Sequence, residues 1–162
     1  MLPLLSRIDH VGIACRDLDA AIGLYQATFG LEVVSLEVNE EQGVREAMLA
    51  VGGARSAGAA AGARSAVAAA RAPRPGYVQL LQPLGPDTPV GRFLARRGEG
   101  LHHIGYGVDD ITAALAEIGG ADRVRLIDQR PRHGSMGASI AFLHPADLGG
   151  VLTELVQAAG PA

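Results

Sequence analysis

The sequence predicts an α+β domain: two βαβββ modules in tandem, with strands that can join into one cupped mixed sheet. Three observations lead there. The first is an internal repeat. Asp9-His10-Val11-Gly12 followed by Asp17-Leu18-Asp19-Ala20-Ala21-Ile22 recurs as His102-His103-Ile104-Gly105 followed by Asp110-Ile111-Thr112-Ala113-Ala114-Leu115, with His10 falling on His103 and Gly12 on Gly105. The second is the order of periodicities. Each copy opens on a strand-like run, passes to a 3.6-residue stripe, and returns to three strand-like runs. The third is bulk: 48% of the 162 residues are apolar, enough for a single domain with a sizeable core.

The elements follow in order. Ile8–Cys15 opens module one (7–84) as a strand carrying His10, Gly12 and Ala14 on one face. Asp17 is a natural N-cap for a helix with Leu18, Ile22, Tyr25 and Phe29 on one stripe and Gly30 as its stop. Strands are expected at 31–38, 43–51 and 77–81. Thr88-Pro89 starts a linker helix (88–98) with Val90, Phe93 and Leu94 on its apolar side. Module two (100–157) repeats the plan: a strand with His103, Gly105 and Gly107 on one face, a helix from Asp110 stopped by Gly119-Gly120, and strands at 123–128, 138–143 and 150–156.

Ala54–Ala72 breaks this pattern, with 11 alanines in 19 residues and three arginines. The repeat identifies it as an insertion. Gln79 lies 69 positions after His10, Glu154 only 51 after His103, and the excess of 18 is close to the length of the run. As a hairpin insertion it reads first as a surface loop without core of its own; the alternative is an arginine-bearing lid over an anionic ligand.

Composition excludes several classes. No apolar run approaches the ~18 residues of a membrane span, and Met1–Leu5 is too short for a signal-peptide core. The single cysteine, Cys15, excludes a disulfide framework and a cysteine-based zinc finger, and suits a cytoplasmic chain. All 14 basic residues are arginine and the net charge is −3, so nothing points to nucleic acid.

The repeat puts four polar side chains at equivalent places: His10 and His103 on the first strands, Gln79 and Glu154 on the last, each of the latter two flanked by apolar residues. A lone polar group in an apolar strand is costly unless paired or liganded. Singly, each is better read as a satisfied core group; paired by the repeat, they read as two imidazoles, an amide oxygen and a carboxylate that would hold one divalent cation. With no thiolate, Co²⁺, Mn²⁺, Ni²⁺, Mg²⁺ and Zn²⁺ all suit the set. His102 is expected to point to the other face, His144 before Pro145 to sit in a turn, and His133 to lie in the hairpin loop Arg130–Gly137, whose glycines suit either a tight turn or a ligand contact. Glu46 has two open readings. Between Val44 and Met48 it is an inward carboxylate able to act as acid or base; with the register shifted by one it is solvated and Arg45 is inward.

These residues resemble the vicinal oxygen chelate (glyoxalase-fold) superfamily and, within it, the methylmalonyl-CoA epimerase family. The matching stretches are Ile8–Ala14, Glu41–Val44, Gln79–Leu84, Arg97–Ile104, Ala141–Pro145 and Gly149–Leu155, and together they span nearly the whole chain. The resemblance implies a metal-dependent epimerase that interconverts (2R)- and (2S)-methylmalonyl-CoA. It implies metal ligands at His10, Gln79, His103 and Glu154, with Co²⁺ the first choice of ion. It also implies an acid–base pair at Glu46 and Glu154, an acyl-CoA substrate, and a homodimer that needs neither nucleic acid nor membrane. Arg96 and Arg97 are candidates for the CoA phosphates, against the reading that they are merely solvated at a helix end. Two alternatives stay open: a glyoxalase-type lyase on a glutathione hemithioacetal, and a metal-free binding protein of the same fold. A ring-cleaving dioxygenase fits poorly, since Gln79 is a fourth ligand.

Overall fold

A computed structural model describes residues 4–52 and 75–160; the expected insertion at 54–72 lies outside them. Eight strands form one curled mixed sheet in the order β2-β3-β4-β1-β5-β8-β7-β6. Module one supplies β1 (Arg7–Ala14), α1 (Leu18–Phe29), β2 (Glu32–Asn39), β3 (Val44–Val51) and β4 (Gly76–Pro83). The linker is α2 (Pro89–Arg97). Module two supplies β5 (Gly100–Gly107), α3 (Ile111–Gly120), β6 (Arg132–His133), β7 (Ser139–Leu143) and β8 (Thr153–Gln157). Each module runs parallel between its first and last strands, β1 with β4 and β5 with β8. The two meet where β1 and β5 pair antiparallel at the centre of the sheet.

Local chemistry sets the helix starts. The Asp17 carboxylate accepts from the Ala20 N–H and the Asp110 carboxylate from the Ala113 N–H, both at 2.9 Å. Thr88 caps α2 by accepting from the Gly91 N–H at 3.1 Å, with Pro89 in the first turn. Gly30 ends α1 in the left-handed region at φ 66°, where a side chain would be strained. The expected glycine stop of α3 falls differently: Gly119 and Gly120 lie inside the helix and Ala121 caps it in a right-handed conformation.

The sheet has an outer face covered by α1 and α3 and an inner face that holds the site and is closed in part by α2. Strand alternation divides the residues. On β3 and β4, Ala47, Leu49 and Leu80 pack outward with Leu18 of α1, while Val44, Glu46, Gln79 and Leu81 take the other parity. In module two, Ile111, Ala114 and Leu115 of α3 cover Ala141, Leu143 and Leu155. α2 lays Val90 and Leu94 against Ala14, Val44 and Leu81.

One expected strand is displaced. Residues 123–128 form no ladder beyond an isolated bridge from Leu126 to Leu143. The Asp128 carboxylate accepts from the Phe142 N–H at 2.9 Å and also bonds Arg132, so a side chain occupies a position that a backbone carbonyl would fill in a regular strand. The pairing strand is the two-residue β6. Gly149 and Gly150, at φ 67° and 86°, delay β8 to Thr153.

Candidate active site

The central pair β1–β5 carries two bulges. Ile8 opposes Tyr106 and His10 opposes Gly105, so Asp9 is an extra residue in β1; Gly12 opposes His103 and Ile13 opposes Leu101, so His102 is an extra residue in β5. Beyond each bulge a histidine ring lies over a glycine of the neighbouring strand. A Cβ at Gly105 would sit 2.4 Å from the His10 ring, and one at Gly12 would sit 2.2 Å from the His103 ring. The glycine matched by the repeat in each module thus makes room for the other module's histidine.

The two Nε2 atoms lie 2.9 Å apart. Glu154, on β8 beside Gly105, brings Oε2 to 2.9 Å from His10 Nε2 and 3.6 Å from His103 Nε2. These three side chains, all buried, present ligand atoms within 4.8 Å of one another. Gln79, on β4 opposite Gly12, joins them: it lines a cavity of about 170 Å³ together with His10 and Glu154. Its Nε2 donates to Glu46 Oε2 at 2.7 Å and to Ser135 Oγ at 3.0 Å, which commits the amide nitrogen away from the centre. Gln79 Oε1 is buried without a hydrogen bond, and Glu154 Oε2, also buried, meets nothing but the two imidazole nitrogens. Orphaned acceptors are expensive in a protein interior. Glu154 Oε2 clustered with the two imidazole Nε2 atoms, and Gln79 Oε1 in the same cavity wall, fit a divalent cation by number and by donor type.

Glu46 takes the inward reading: it is 1% exposed, and Arg45 instead pairs with Asp19 at the surface. Its Oε1 accepts from the Ser135 hydroxyl at 2.7 Å. Burial raises its pKa above the usual carboxylate value, opposed by the bonds from Ser135 and Gln79. Glu154 is shifted the other way. Complete burial would raise it, but bonds and charge from His10 and His103 outweigh that and hold it far below the ordinary range. His10 rises to about 9: burial works against the cation, and the carboxylates of Asp9 and Glu154 overcome it. Two carboxylates at one site are therefore held with opposite proton affinities.

Ser135 is the residue the sequence reading missed. It belongs to the loop after β6, where Met136 at φ 56° and Gly137 at φ 72° turn the chain back. That loop is clasped onto module one by the Arg132–Glu41 ion pair at 2.9 Å and by the Met136 N–H donating to Glu37 at 3.0 Å. The Gly-Ser-Met-Gly composition was the available signal, but it serves a plain hairpin as well. His102 also departs from expectation. The bulge turns it to the side of His103, with the two Nδ1 atoms 2.9 Å apart, and Phe93 of α2 packs edge-on against it. His144 sits in a turn as expected, accepting from the Ala146 N–H. His133 contributes its carbonyl, which accepts from Gln42 Nε2 at 3.3 Å. A cleft of about 510 Å³ opens beside His102 and His103, walled by Arg92, Phe93, Arg96 and Arg97 of α2.

Comparison with known proteins agrees with this geometry. The model of the Glyoxalase/Bleomycin resistance protein/Dioxygenase superfamily matches residues 9–142. The ethylmalonyl-CoA/methylmalonyl-CoA epimerase of Cereibacter sphaeroides is 32% identical over 95% of this chain and 99% of its own. The mitochondrial methylmalonyl-CoA epimerase of Homo sapiens is 32% identical over 95% of this chain and 75% of its own. A solved methylmalonyl-CoA epimerase in complex with methylmalonyl-CoA and NH4+ is 48% identical with a TM-score of 0.81, covering 96% of each chain. The Mycobacterium tuberculosis enzyme is 36% identical with a TM-score of 0.81, covering 99% of this chain and 93% of its own. By sequence, fold and the side chains its two modules bring together, the chain belongs to this superfamily and, within it, to the methylmalonyl-CoA epimerase family of isomerases.

Proposed function

We propose that the protein interconverts (2R)- and (2S)-methylmalonyl-CoA by removing and returning the proton at carbon 2, with Glu46 and Glu154 as the acid–base pair. The observation that carries this reading is the pair itself: Glu154 lines the cavity, buried Glu46 is bonded to the Gln79 and Ser135 of its wall, and the proton affinity of Glu46 is raised while that of Glu154 is lowered. Carbon 2 lies between a thioester and a carboxylate, so its proton is acidic enough for a carboxylate base once the resulting charge is stabilised. Epimerisation needs a base on one face and an acid on the other, and the roles exchange with reaction direction. Glu46 accepts one hydrogen bond on each oxygen and retains lone pairs for the substrate proton.

His10, Gln79, His103 and Glu154 would hold a divalent ion, Co²⁺ in our reading, with Mn²⁺, Ni²⁺, Zn²⁺ and Mg²⁺ able to substitute. Such an ion would supply Lewis-acid stabilisation of the negative charge that develops on the thioester oxygen. Glu154 then serves as ligand and as acid or base. Arg96 and Arg97 line the cleft wall and would meet the CoA phosphates. We assign the enzyme to the cytoplasm, in keeping with its single cysteine. The family resemblance supports a homodimer.

The test is proton exchange. With methylmalonyl-CoA in D₂O, the carbon-2 proton signal should disappear at an enzyme-dependent rate, slow after chelation, and recover on adding Co²⁺. No enzyme-dependent exchange, with turnover of a glutathione hemithioacetal in a parallel assay, would replace this reading by the glyoxalase-type one.

A further inference from the structure

We propose that Asp9 and His102, the two extra residues of the central bulges, are positioning residues that make His10 and His103 unequal ligands. The argument rests on the reading of both histidines as metal ligands and concerns the ring nitrogens that face away from the centre.

Both rings direct Nε2 inward, so each must satisfy Nδ1 elsewhere. A β-strand alternates its side chains, and the residue before an inward histidine would ordinarily point to the opposite face. The bulges change that. Each inserts one residue directly before the histidine and turns its side chain to the same side. Asp9 Oδ1 then lies 3.2 Å from His10 Nδ1, and His102 Nδ1 lies 2.9 Å from His103 Nδ1. The two modules have the same device at the same place but fill it with different chemistry.

Asp9 is an anion, only 5% exposed, and its second oxygen is held by the Arg7 guanidinium, so it is fixed inside the sheet. It can only accept from the ring, which keeps the His10 proton on Nδ1 and leaves Nε2 as the donor to the metal. The negative charge behind the ring also strengthens that donor. His102 is a ring, held against Phe93 of α2 with centroids 4.9 Å apart, at the wall of the cleft. It can orient His103 through one lone pair but adds no anionic charge. His10 is thus the stronger, sheet-anchored ligand, and His103 is the weaker one, supported from the substrate side.

The experiment uses the full chain with ¹⁵N-labelled histidine, loaded with Zn²⁺ as a diamagnetic probe, and reads both ring N–H resonances and Zn²⁺ affinity by calorimetry. Wild type is expected to show two distinct Nδ1–H protons, that of His10 further downfield. Asp9→Asn should move the His10 resonance alone and weaken Zn²⁺ binding about 10- to 100-fold. His102→Gln should move the His103 resonance alone and weaken binding less. Asp9→Glu should restore part of the loss that Asp9→Asn causes. Unmoved resonances with unchanged affinity in either variant, or equal losses in both, overturn the inference. If Asp9→Asn fails to fold, the wild-type spectrum decides the inequality, since Nδ1–H protons of equal shift overturn it, and His102→Gln tests the second contact by moving the His103 resonance alone. A wild-type protein that takes up no Zn²⁺, Co²⁺ or Mn²⁺ instead overturns the metal reading on which the inference rests.

Discussion

Glu46 shows how much one residue's surroundings decide. Its flanking pattern left two orientations open, and the fold resolves them by pairing β3 with β4 so that Met48 opposes Gln79 and Glu46 opposes Leu81, with Ser135 arriving from the other module. Glu46→Gln should abolish epimerisation, read as interconversion of the two epimers, while metal content, measured by elemental analysis, stays at the wild-type level; metal loss in that variant would sink the assignment of Glu46 as acid–base rather than structural. Ser135→Ala removes a bond that favours the charged carboxylate. The Glu46 pKa should therefore rise further, and the acid limb of the rate–pH profile should move to higher pH. The glycines under the two rings make a sharper test of geometry. Gly12→Ala or Gly105→Ala would place a methyl within a histidine ring, and the ring must move because the strand backbone below cannot. Each should lower metal affinity about 10-fold or more in a calorimetric titration, while far-ultraviolet circular dichroism keeps its wild-type shape.

At the scale of elements, the helices are set locally and the clasping loop is not. Asp17→Ala and Asp110→Ala each remove an N-cap bond made by the same residue type at the same repeat position. Each should cost about 1 kcal/mol in urea unfolding, and the two should be nearly additive because they cap different helices. Both caps, and the Thr88-Pro89 start of α2, were legible in the sequence because a cap is a contact between residues three apart. The strand expected at 123–128 was not, because its apolar alternation is real but the Asp128 side chain takes the Phe142 N–H. Ser135 was illegible for a related reason: its partner lies 89 residues away and no local periodicity encodes it. His102 was misplaced because a bulge breaks the two-residue period on which facing arguments depend.

For the whole molecule, metal and pH are coupled through His10. In metal-free protein its pKa is raised from 6.5 to about 9, so the proton it gains on folding stabilises the fold fully below pH 6.5. That contribution is lost as pH rises through about 9, and by linkage it amounts to about 3 kcal/mol across this range. Metal binding runs the other way, because the ion must displace that proton. Thermal unfolding of metal-free protein should therefore show a midpoint that falls from pH 6.5 to 9, while apparent Co²⁺ affinity rises over the same interval. A midpoint independent of pH would show that His10 is not protonated in the metal-free fold. The sequence alone determined the two βαβββ modules, the caps and the four repeat-related polar positions, because a duplicated unit prints each structural constraint twice and the two copies can be read against each other. Only the tertiary structure decided that Glu46 faces in, that Ser135 reaches it, and that Asp9 and His102 stand behind the histidines. Those facts depend on a register between strands, a loop crossing from one module to the other, and two one-residue bulges, none of which leaves a period in the chain.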